Sequence, residues 1–515
     1  AMRLHPYYPA YYLQWLGGAY RMTGRYEEAL TVYKQLLDRS RKGEFRIFTP
    51  HLFLADIYAE LGREEEARTH AAEVLRISPK FSLEVVRRMG STYQYKDPAH
   101  LERRLNALRK AGIPETPPLP LPDKPSIAVL PFVNMSGDPE QEYFSDGITE
   151  EIITALSKTS KLFVIARNST FTYKGKPVKV QQVGRELGVK YVLEGSVRKS
   201  GDKVRITAQL VDAQTGHHLW AERYDRELKD IFALQDEITM EIMEALQVEL
   251  TGGFMAIART RGTKNLQAYL KLLKGLEYHG SQNKDANILA RKMAEEVIAL
   301  DPGYPEGYSL LAYTHYMDVW FGSSKSPKDS LSRAYELAQK AVGMNDSLVL
   351  PHILLGHIYL LERQHEKAIA ETERAVTLSP NAAASYANLG RALIYAGQPK
   401  EAIPLLKKAI RLDPLPNYFF YYTLGFAYIM TGRYDEAVEI CKKGIKDEPN
   451  SLYAHVVLAT AYSLSGQEEE ARAEAEEVLR IQPEFSLKYY GKRLPFKNPA
   501  DREFKVEALR KAGLK

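Results

Sequence analysis

The sequence predicts a mostly α-helical protein in which stacked helix pairs flank one mixed α/β domain. Small residues recur at intervals of 34, 35 and 34 residues, and an alanine and a proline follow each of them at fixed distances. A period of this length is typical of repeated helix pairs that stack into a solenoid. Near residues 126–252 the period changes, and short apolar runs indicate strands instead. The recurring positions are Gly356, Gly390, Gly425 and Ala459, then Ala368, Ala402, Ala437 and Ala471, then Pro380, Pro414, Pro449 and Pro483.

Each residue type in this repeat has a mechanical role. Small residues let the two helices of a unit approach closely, and a turn glycine such as Gly397 or Gly432 ends the first helix in a left-handed conformation. The proline closes the unit because it cannot continue a helix interior. Position by position, residues 350–485 resemble the tetratricopeptide repeat (TPR). The match is looser over 265–345, where residues 321–328 lengthen a turn.

The boundaries of the predicted domains follow from this pattern. Residues 1–112 read as a partial TPR array with a capping helix, and 113–125 form a linker with six prolines. An α/β domain occupies 126–252, about six repeats occupy 263–485, and 486–515 form a second capping helix. Residues 1–6 have the spacing of the end of a repeat, so we expect the chain to be a fragment or processed form of a longer protein.

Alternation of side chains predicts an antiparallel meander inside the α/β domain. Polar residues alternate with apolar ones at Val204, Ile206, Ala208 and Leu210. This alternation indicates a strand with one buried and one solvent-exposed face. The runs 126–132, 162–166, 191–197 and 219–224 also predict strands, and an apolar stripe along 234–250 predicts a closing helix.

A second resemblance covers this domain. The phrases AVLPFVNMSGDPEQEYFSDGITEEI, FVIARNSTFTYKG and IFALQDEI are similar to the TolB-like amino-terminal domain. Joined to a TPR array, they resemble the carboxy-terminal region of bacterial class III adenylate cyclases, and also regulators with an amino-terminal DNA-binding domain. The chain contains neither a cyclase catalytic domain nor a helix-turn-helix domain, so the resemblance does not imply an enzyme.

Composition narrows the class of partner. The net charge is only +5 and is spread along the chain, so no basic stripe indicates nucleic acid. No run reaches the roughly 18 apolar residues of a membrane helix. The single cysteine, Cys441, excludes an internal disulfide and a cysteine metal site. No signal peptide is visible. The compartment is open between the cytoplasm, which is favoured, and an extracytoplasmic location.

The sequence contains no convincing catalytic, cofactor-binding or metal-binding motif, so we expect no enzyme activity, no cofactor and no metal. The acidic residues within 138–151 suit a helix start and a solvated face. No phosphate-loop pattern or nucleophile elbow is present. A small-molecule site at Arg167, Asn168, Ser169 and Arg198, near strand ends, is the minority hypothesis. In the competing interpretation these arginines pair with neighbours such as Glu194.

The concave face of the second array is the predicted working surface, because first helices line that side of a TPR stack. Its aromatic and apolar side chains suit a protein or peptide partner with bulky residues. The alternative for about half of them is packing against their neighbours. Offsets from the small residues place there His357, Leu360, Arg391, Ile394, Tyr422, Phe426, Ile429, Tyr453, Val456, Thr460 and Ser463.

The function predicted from these observations is a non-enzymatic protein–protein interaction scaffold. An aromatic cluster near the amino terminus predicts self-association into a homo-oligomer. It comprises Tyr7, Tyr8, Tyr11, Tyr12 and Trp15. In the competing interpretation these side chains only pack inside their own repeat. The alternative function is a regulatory, ligand-sensing segment of a class III nucleotide cyclase.

Overall fold

The computed structural model describes residues 8–92, 97–246, 263–281, 283–415 and 418–515. The chain divides into two compact units, residues 1–120 and 121–515. Helices dominate both units, and a small mixed sheet lies in the middle of the sequence, so the predicted fold class is confirmed. Tyr7 and the half repeat at residues 1–6 lie outside the described residues. No described helix is long and apolar enough to cross a membrane.

The first unit is a short stack of helix pairs. Its helices are α1 (Tyr11–Met22), α2 (Tyr26–Arg41), α3 (Phe48–Glu60), α4 (Glu64–Ile77), α5 (Leu83–Thr92) and α6 (Pro98–Lys110). The closing helix α6 packs on α3. A buried carboxylate joins three helices, because Asp56 lies 2.8 Å from the Nε of Arg21 and 3.4 Å from the Nε of Arg104. The side chain of Asp56 is fully buried, so the two arginines compensate its charge.

The sheet belongs to the second unit. Its strands are β1 (Ser126–Val129), β2 (Val133–Asn134), β3 (Phe163–Val164), β4 (Tyr191–Ser200), β5 (Lys203–Asp212) and β6 (His218–Glu227). The order is β3-β1-β4-β5-β6, with β2 paired to β4. Strands β1 and β3 are parallel to their neighbours, whereas β4, β5 and β6 form the predicted antiparallel meander. Alternating burial along β5 follows from one covered and one open face.

Four helices accompany the sheet: α7 (Glu142–Ser157), α8 (Arg167–Phe171), α9 (Val180–Leu187) and α10 (Ile231–Ala245). Apolar residues of α7 and α10, such as Ile148 and Ile238, bury one face of the sheet. Residues of β1, β3 and α9, including Ala128 and Val183, belong to a core that continues into the second helical array. The α/β domain therefore shares a core with the repeats.

Six helix pairs follow within the described residues. They are α11 (Leu266–Gly280) with α12 (Lys284–Leu300), α13 (Pro305–Trp320) with α14 (Pro327–Met344), α15 (Val349–Leu361) with α16 (His365–Leu378), α17 (Ala383–Tyr395) with α18 (Pro399–Leu412), α19 (Tyr418–Ile429) with α20 (Tyr434–Asp447), and α21 (Leu452–Leu464) with α22 (Glu468–Ile481). Helices α23 (Leu487–Arg493) and α24 (Pro499–Lys511) close the stack. From α11 to α21, each first helix contacts the first helix of the next repeat.

Contacts at the turns between repeats attach the α/β domain to the array. The Asn381 amide donates to the carbonyl of Thr159 at 2.7 Å. The guanidinium of Arg411 donates to the carbonyls of Leu187 and Gly188 at 3.1 and 2.7 Å. At the first repeat, helix α7 packs closely against α11. A Cβ atom added to Gly147 of α7 would lie only 2.6 Å from a methyl carbon of Leu273 in α11. These contacts secure one flank of the array from its first repeat to the turn that follows its fourth.

One repeat turn replaces the usual glycine with an arginine. Gly397, Gly432 and Gly466 have φ of 75° to 87° at this position, and Arg363 has φ 61°, where a side chain is disfavoured. The Arg363 guanidinium donates to the carbonyl of Phe496 at 3.2 Å, and it also donates to the carbonyl of Leu494 at 3.3 Å. Arginine is retained here because it holds the segment before α24 against the turn.

Replacing Arg363 by glycine should loosen this segment without straining the turn. The variant keeps the left-handed backbone but loses the bonds to the carbonyls, so trypsin should cut after the exposed Lys492 and Lys497 faster than in the wild type. Limited proteolysis followed by mass spectrometry measures the rate. An exposed helical arginine, Arg333→Ala, is the control, and equal rates in all three proteins would contradict the assignment.

Candidate interaction surface

The predicted groove residues of the second array fall into two groups. Arg391, Tyr422, Tyr453 and Ser463 remain partly exposed. The others are buried between neighbouring helices, which agrees with the packing alternative, and partner binding along the predicted strip stays a prediction. They are His357, Leu360, Ile394, Phe426, Ile429, Val456 and Thr460.

Three rings from separate repeats form a stacked row that we call the aromatic ladder: Trp320, Tyr453 and Tyr422. Trp320 stacks on Tyr453 with centroids 5.3 Å apart and an interplanar angle of 25°. Tyr453 stacks on Tyr422 at 5.7 Å and 27°. The Trp320 side chain is 41% exposed, so the ladder reaches solvent. The first helices of the array thus carry a row of stacked aromatic rings that includes Trp320, which the sequence did not indicate, and partner binding along this row stays a prediction.

Trp320 escaped prediction because it ends a helix of unusual length. Helix α13 has 16 residues, whereas α15, α17 and α21 have 13 each. The insertion at 321–328 suggested only a longer turn. The tryptophan itself was the one sequence feature that could have indicated this site. It lies beyond the periodic packing positions of the repeat, and it is exposed.

Arg391 lies beside the ladder, on the same concave side. Its guanidinium carbon is 5.4 Å from the centroid of Phe419. Its charge also lowers the pKa of the neighbouring Tyr395, although burial outweighs this and raises that pKa to about 12. The Nε of Arg391 is buried without a hydrogen-bond partner among the described residues.

The interior next to Arg391 contains a buried and uncharged histidine. The Nε2 of His357 donates to Asn388 Oδ1 at 2.5 Å, which leaves the buried Nδ1 without a partner among the described residues. Burial, and then the charge of Arg391, holds the pKa of His357 well below its usual range, so the imidazole is neutral. The ring of Tyr316 lies 5.3 Å from that of His357. Burial likewise raises the pKa of Tyr313.

Phe426 belongs to the closing structure rather than to an open surface. Its ring lies 5.8 Å from Phe496 and 5.7 Å from Tyr395. The Lys505 ammonium lies 3.8 Å from its centroid, and burial lowers the pKa of Lys505 to about 7. Phe426 is therefore a core residue that the closing helices cover.

The four residues of the predicted small-molecule site are not brought together. Ser169 and Asn168 donate hydrogen bonds to Asp413 of the array, and Arg167 lies 3.3 Å from Glu150. Arg198 lies on β4, where its Nε donates to the Met135 carbonyl at 3.1 Å. Two of the four thus attach the α/β domain to the repeats, and ligand binding at these residues stays a prediction.

The predicted self-association surface lies on and before α1. Trp15 and Tyr11 are 66% and 45% exposed, and Tyr11 contacts Tyr12 edge-on at 4.7 Å. Tyr8 is partly buried, and Arg39 lies over its ring at 5.5 Å. Self-association through these residues stays a prediction. Among the described residues, no group of three or more histidine, cysteine or acidic side chains is arranged to hold a metal ion.

Family models match parts of the helical arrays and most of the α/β domain. Tetratricopeptide-repeat models match residues 9–80, 352–382, 393–456 and 428–490. The helix pairs in these matched ranges are tetratricopeptide repeats. The model that matches residues 123–241 is the second domain of HilA/YgeH-like transcriptional regulators, where the sequence had suggested a TolB-like domain.

One curated relative and several solved structures are similar to parts of this TPR-containing chain. The relative is "Putative adenylate cyclase 3" of Rhizobium meliloti (strain 1021), 50% identical over 248 residues, which is 48% of this chain and 42% of the relative. The chain thus spans less than half the length of that relative. A thermophilic TPR protein of Thermus thermophilus matches 38% of this chain and 98% of its own, with 20% identity and a TM-score of 0.31. YrrB, "a TPR protein with an unusual peptide-binding site", matches 39% of this chain and 98% of its own, with 21% identity and a TM-score of 0.28.

Proposed function

We propose that this protein is a non-enzymatic scaffold that binds a protein or peptide partner on the concave side of its second TPR array. The observation that carries the proposal is the aromatic ladder, with Trp320 41% exposed and stacked on Tyr453. Tryptophan, tyrosine and arginine are the residues most enriched at binding hot spots. Trp320, Tyr453, Tyr422 and Arg391 supply all three types on one surface.

The packing of the ladder favours binding as well as stability. The stacked rings hold one another in place, so little side-chain freedom remains to be lost when a partner binds. The buried neighbours, such as Thr460 and Val456, fix the helices that carry the rings. A partly exposed aromatic strip on rigid helices suits an extended or helical segment with bulky side chains.

The perturbed pKa values of Asp413 and Lys505 do not indicate catalysis. Burial raises the pKa of Asp413 to about 6, yet this carboxylate accepts hydrogen bonds from Ser169 and Asn168 at a packed contact. Lys505, on the closing helix α24, is likewise buried, and it lies over the ring of Phe426. Burial of an ionisable group in a packed structure shifts its pKa even where the group catalyses no reaction. The proposal therefore assigns no catalytic, cofactor-binding or metal-binding residue.

The double substitution Trp320→Ala with Tyr453→Ala tests the proposal. It should weaken partner binding at least thirtyfold, since truncating a hot spot costs about 2 kcal/mol or more. Quantitative mass spectrometry of proteins captured from an extract of the source cells identifies partners, and titration with the purified partner measures the loss. Tyr489→Ala, at a tyrosine that is 67% exposed on α23, is the matched control. Unchanged affinity of the double variant, with unchanged helicity by circular dichroism, would refute the proposal.

The alternative function is a regulatory segment of a class III nucleotide cyclase. It is favoured by the 50% identity with "Putative adenylate cyclase 3" and by the resemblance of residues 126–252 to the TolB-like domain. The reading frame upstream of Ala1 in the source genome distinguishes the two functions. A cyclase catalytic domain there supports the regulatory segment, and an unrelated or absent domain supports the independent scaffold.

A further inference from the structure

The concave side of the second array holds one positive charge for which the described residues provide no counter-ion. Arg391 forms no ion pair with a described residue, and its buried Nε has no hydrogen-bond partner there. The neighbouring His357 is 9% exposed and neutral, and its Nδ1 also lacks a partner among those residues. Arg391 is partly exposed, but its Nε is shielded from water, and a shielded donor costs free energy unless an acceptor replaces the lost hydration.

The first array shows how this chain treats buried arginines elsewhere. There the carboxylate of Asp56 lies 2.8 Å from Arg21 and 3.4 Å from Arg104, so the chain itself supplies the negative charge. At Arg391 the described neighbours include the rings of Phe419, Tyr395 and Tyr313 and the imidazole of His357. An aromatic face stabilises a cation only partly and leaves its hydrogen-bond donors unused.

We propose that Arg391 selects partners through an acidic side chain, which forms an ion pair with the guanidinium while flanking apolar residues pack on Trp320 and Tyr453. This inference rests on the proposed function, because the acidic residue must belong to a segment bound on the aromatic ladder. Guanidinium and carboxylate groups match in a planar, two-bonded geometry. The neighbouring rings shield part of the guanidinium from water, which strengthens the pair relative to a fully exposed one. The occupant is therefore a peptide segment with one glutamate or aspartate among bulky apolar residues.

A displayed library of random twelve-residue peptides provides a test that needs no known partner. It is selected in parallel on the full chain as wild type, as Arg391→Met and as Trp320→Ala. The wild type should enrich peptides with an acidic residue at a fixed distance from an aromatic or aliphatic residue. Arg391→Met should lose the acidic enrichment but keep the apolar one, and Trp320→Ala should not retain the wild-type peptides.

Synthetic peptides then measure the ion pair directly on the unmodified protein. The strongest wild-type binder is compared with a version in which its acidic residue is replaced by the amide, Glu→Gln or Asp→Asn. We expect the amide to bind about ten- to a hundredfold more weakly to the wild type. The two peptides should bind Arg391→Met with similar affinities. This comparison stays informative even if the Arg391→Met variant folds poorly.

The outcomes separate this inference from the proposed function. Peptides that depend on Trp320 but show no acidic enrichment, or an amide peptide that binds the wild type equally well, would overturn the role of Arg391 alone. A wild-type selection with no Trp320-dependent peptides would overturn the proposed function and this inference with it. Acidic peptides that bind Arg391→Met as tightly as the wild type would place the carboxylate elsewhere and overturn the inference.

Discussion

Replacing Asp413 by asparagine should remove a pH dependence of stability that originates where the α/β domain meets the array. Asp413 is fully buried, and it accepts hydrogen bonds from Asn168 at 3.2 Å and from Ser169. Burial raises its pKa to about 6 despite those bonds. An asparagine keeps the shape and part of the hydrogen bonding but cannot ionise.

The sign of the effect follows from the raised pKa. An unfolded aspartate has a pKa of about 3.9, so the folded protein holds the proton more tightly than the unfolded chain does. The stability that this proton contributes is fully present below about pH 4 and is lost as the pH rises through about 6. A pKa shift of about two units corresponds to a free energy on the order of 3 kcal/mol.

Urea unfolding of wild type and variant at several pH values measures this effect. The unfolding free energy of the wild type minus that of Asp413→Asn should fall by roughly 3 kcal/mol between about pH 4 and pH 7. The exposed Asp435→Asn, in the same array, controls for titration of surface carboxylates. A constant difference across this pH range would show that Asp413 titrates normally.

The second large effect is expected for Phe496→Ala. Phe496 is 1% exposed, and its ring lies 5.0 Å from Tyr395 and 5.8 Å from Phe426. Truncating a buried phenylalanine leaves a cavity and costs about 3–5 kcal/mol. The loss should release the closing helices first, because Phe496 joins them to the ends of α17 and α19.

Calorimetry and hydrogen exchange distinguish this local release from general unfolding. Amides of α23, α24 and α21 should lose protection in Phe496→Ala, while those of β4 and β5 keep it. Phe504→Ala, at a phenylalanine of α24 that is 39% exposed, should change stability by less than about 1 kcal/mol. Similar losses in both variants would mean that Phe496 has no special role at this end of the stack.

The repeat period predicted most of the fold because the packing of a TPR stack is local. Gly425 illustrates this: a Cβ there would lie 2.4 Å from the Cys441 sulfur, so the small residue of one helix fits the next helix of the same pair. Likewise the alternation along Val204 to Leu210 predicted β5 because a half-covered strand requires it. Both patterns involve residues that are close in sequence.

The parts that escaped prediction depend on contacts between distant residues. Ser169 and Asp413 are 244 positions apart, and no local pattern links them. Counting offsets placed Ile394 and Thr460 on the concave side, but it could not show that neighbouring first helices bury them completely. Tyr422 and Tyr453 were among the predicted groove residues, but Trp320 was not, because it lies 133 positions before its stacking partner Tyr453.

The contacts between distant parts of the second unit also change what kind of stack it is. In a simple solenoid each repeat touches only its neighbours. Here the Arg363 guanidinium of the third repeat donates to the carbonyl of Phe496 in the closing segment. The aromatic ladder likewise joins Trp320 of the second repeat to Tyr453 of the sixth. A segment bound on the ladder, as proposed, would contact rings of the second, fifth and sixth repeats at once, so its affinity would depend on the distances between those repeats.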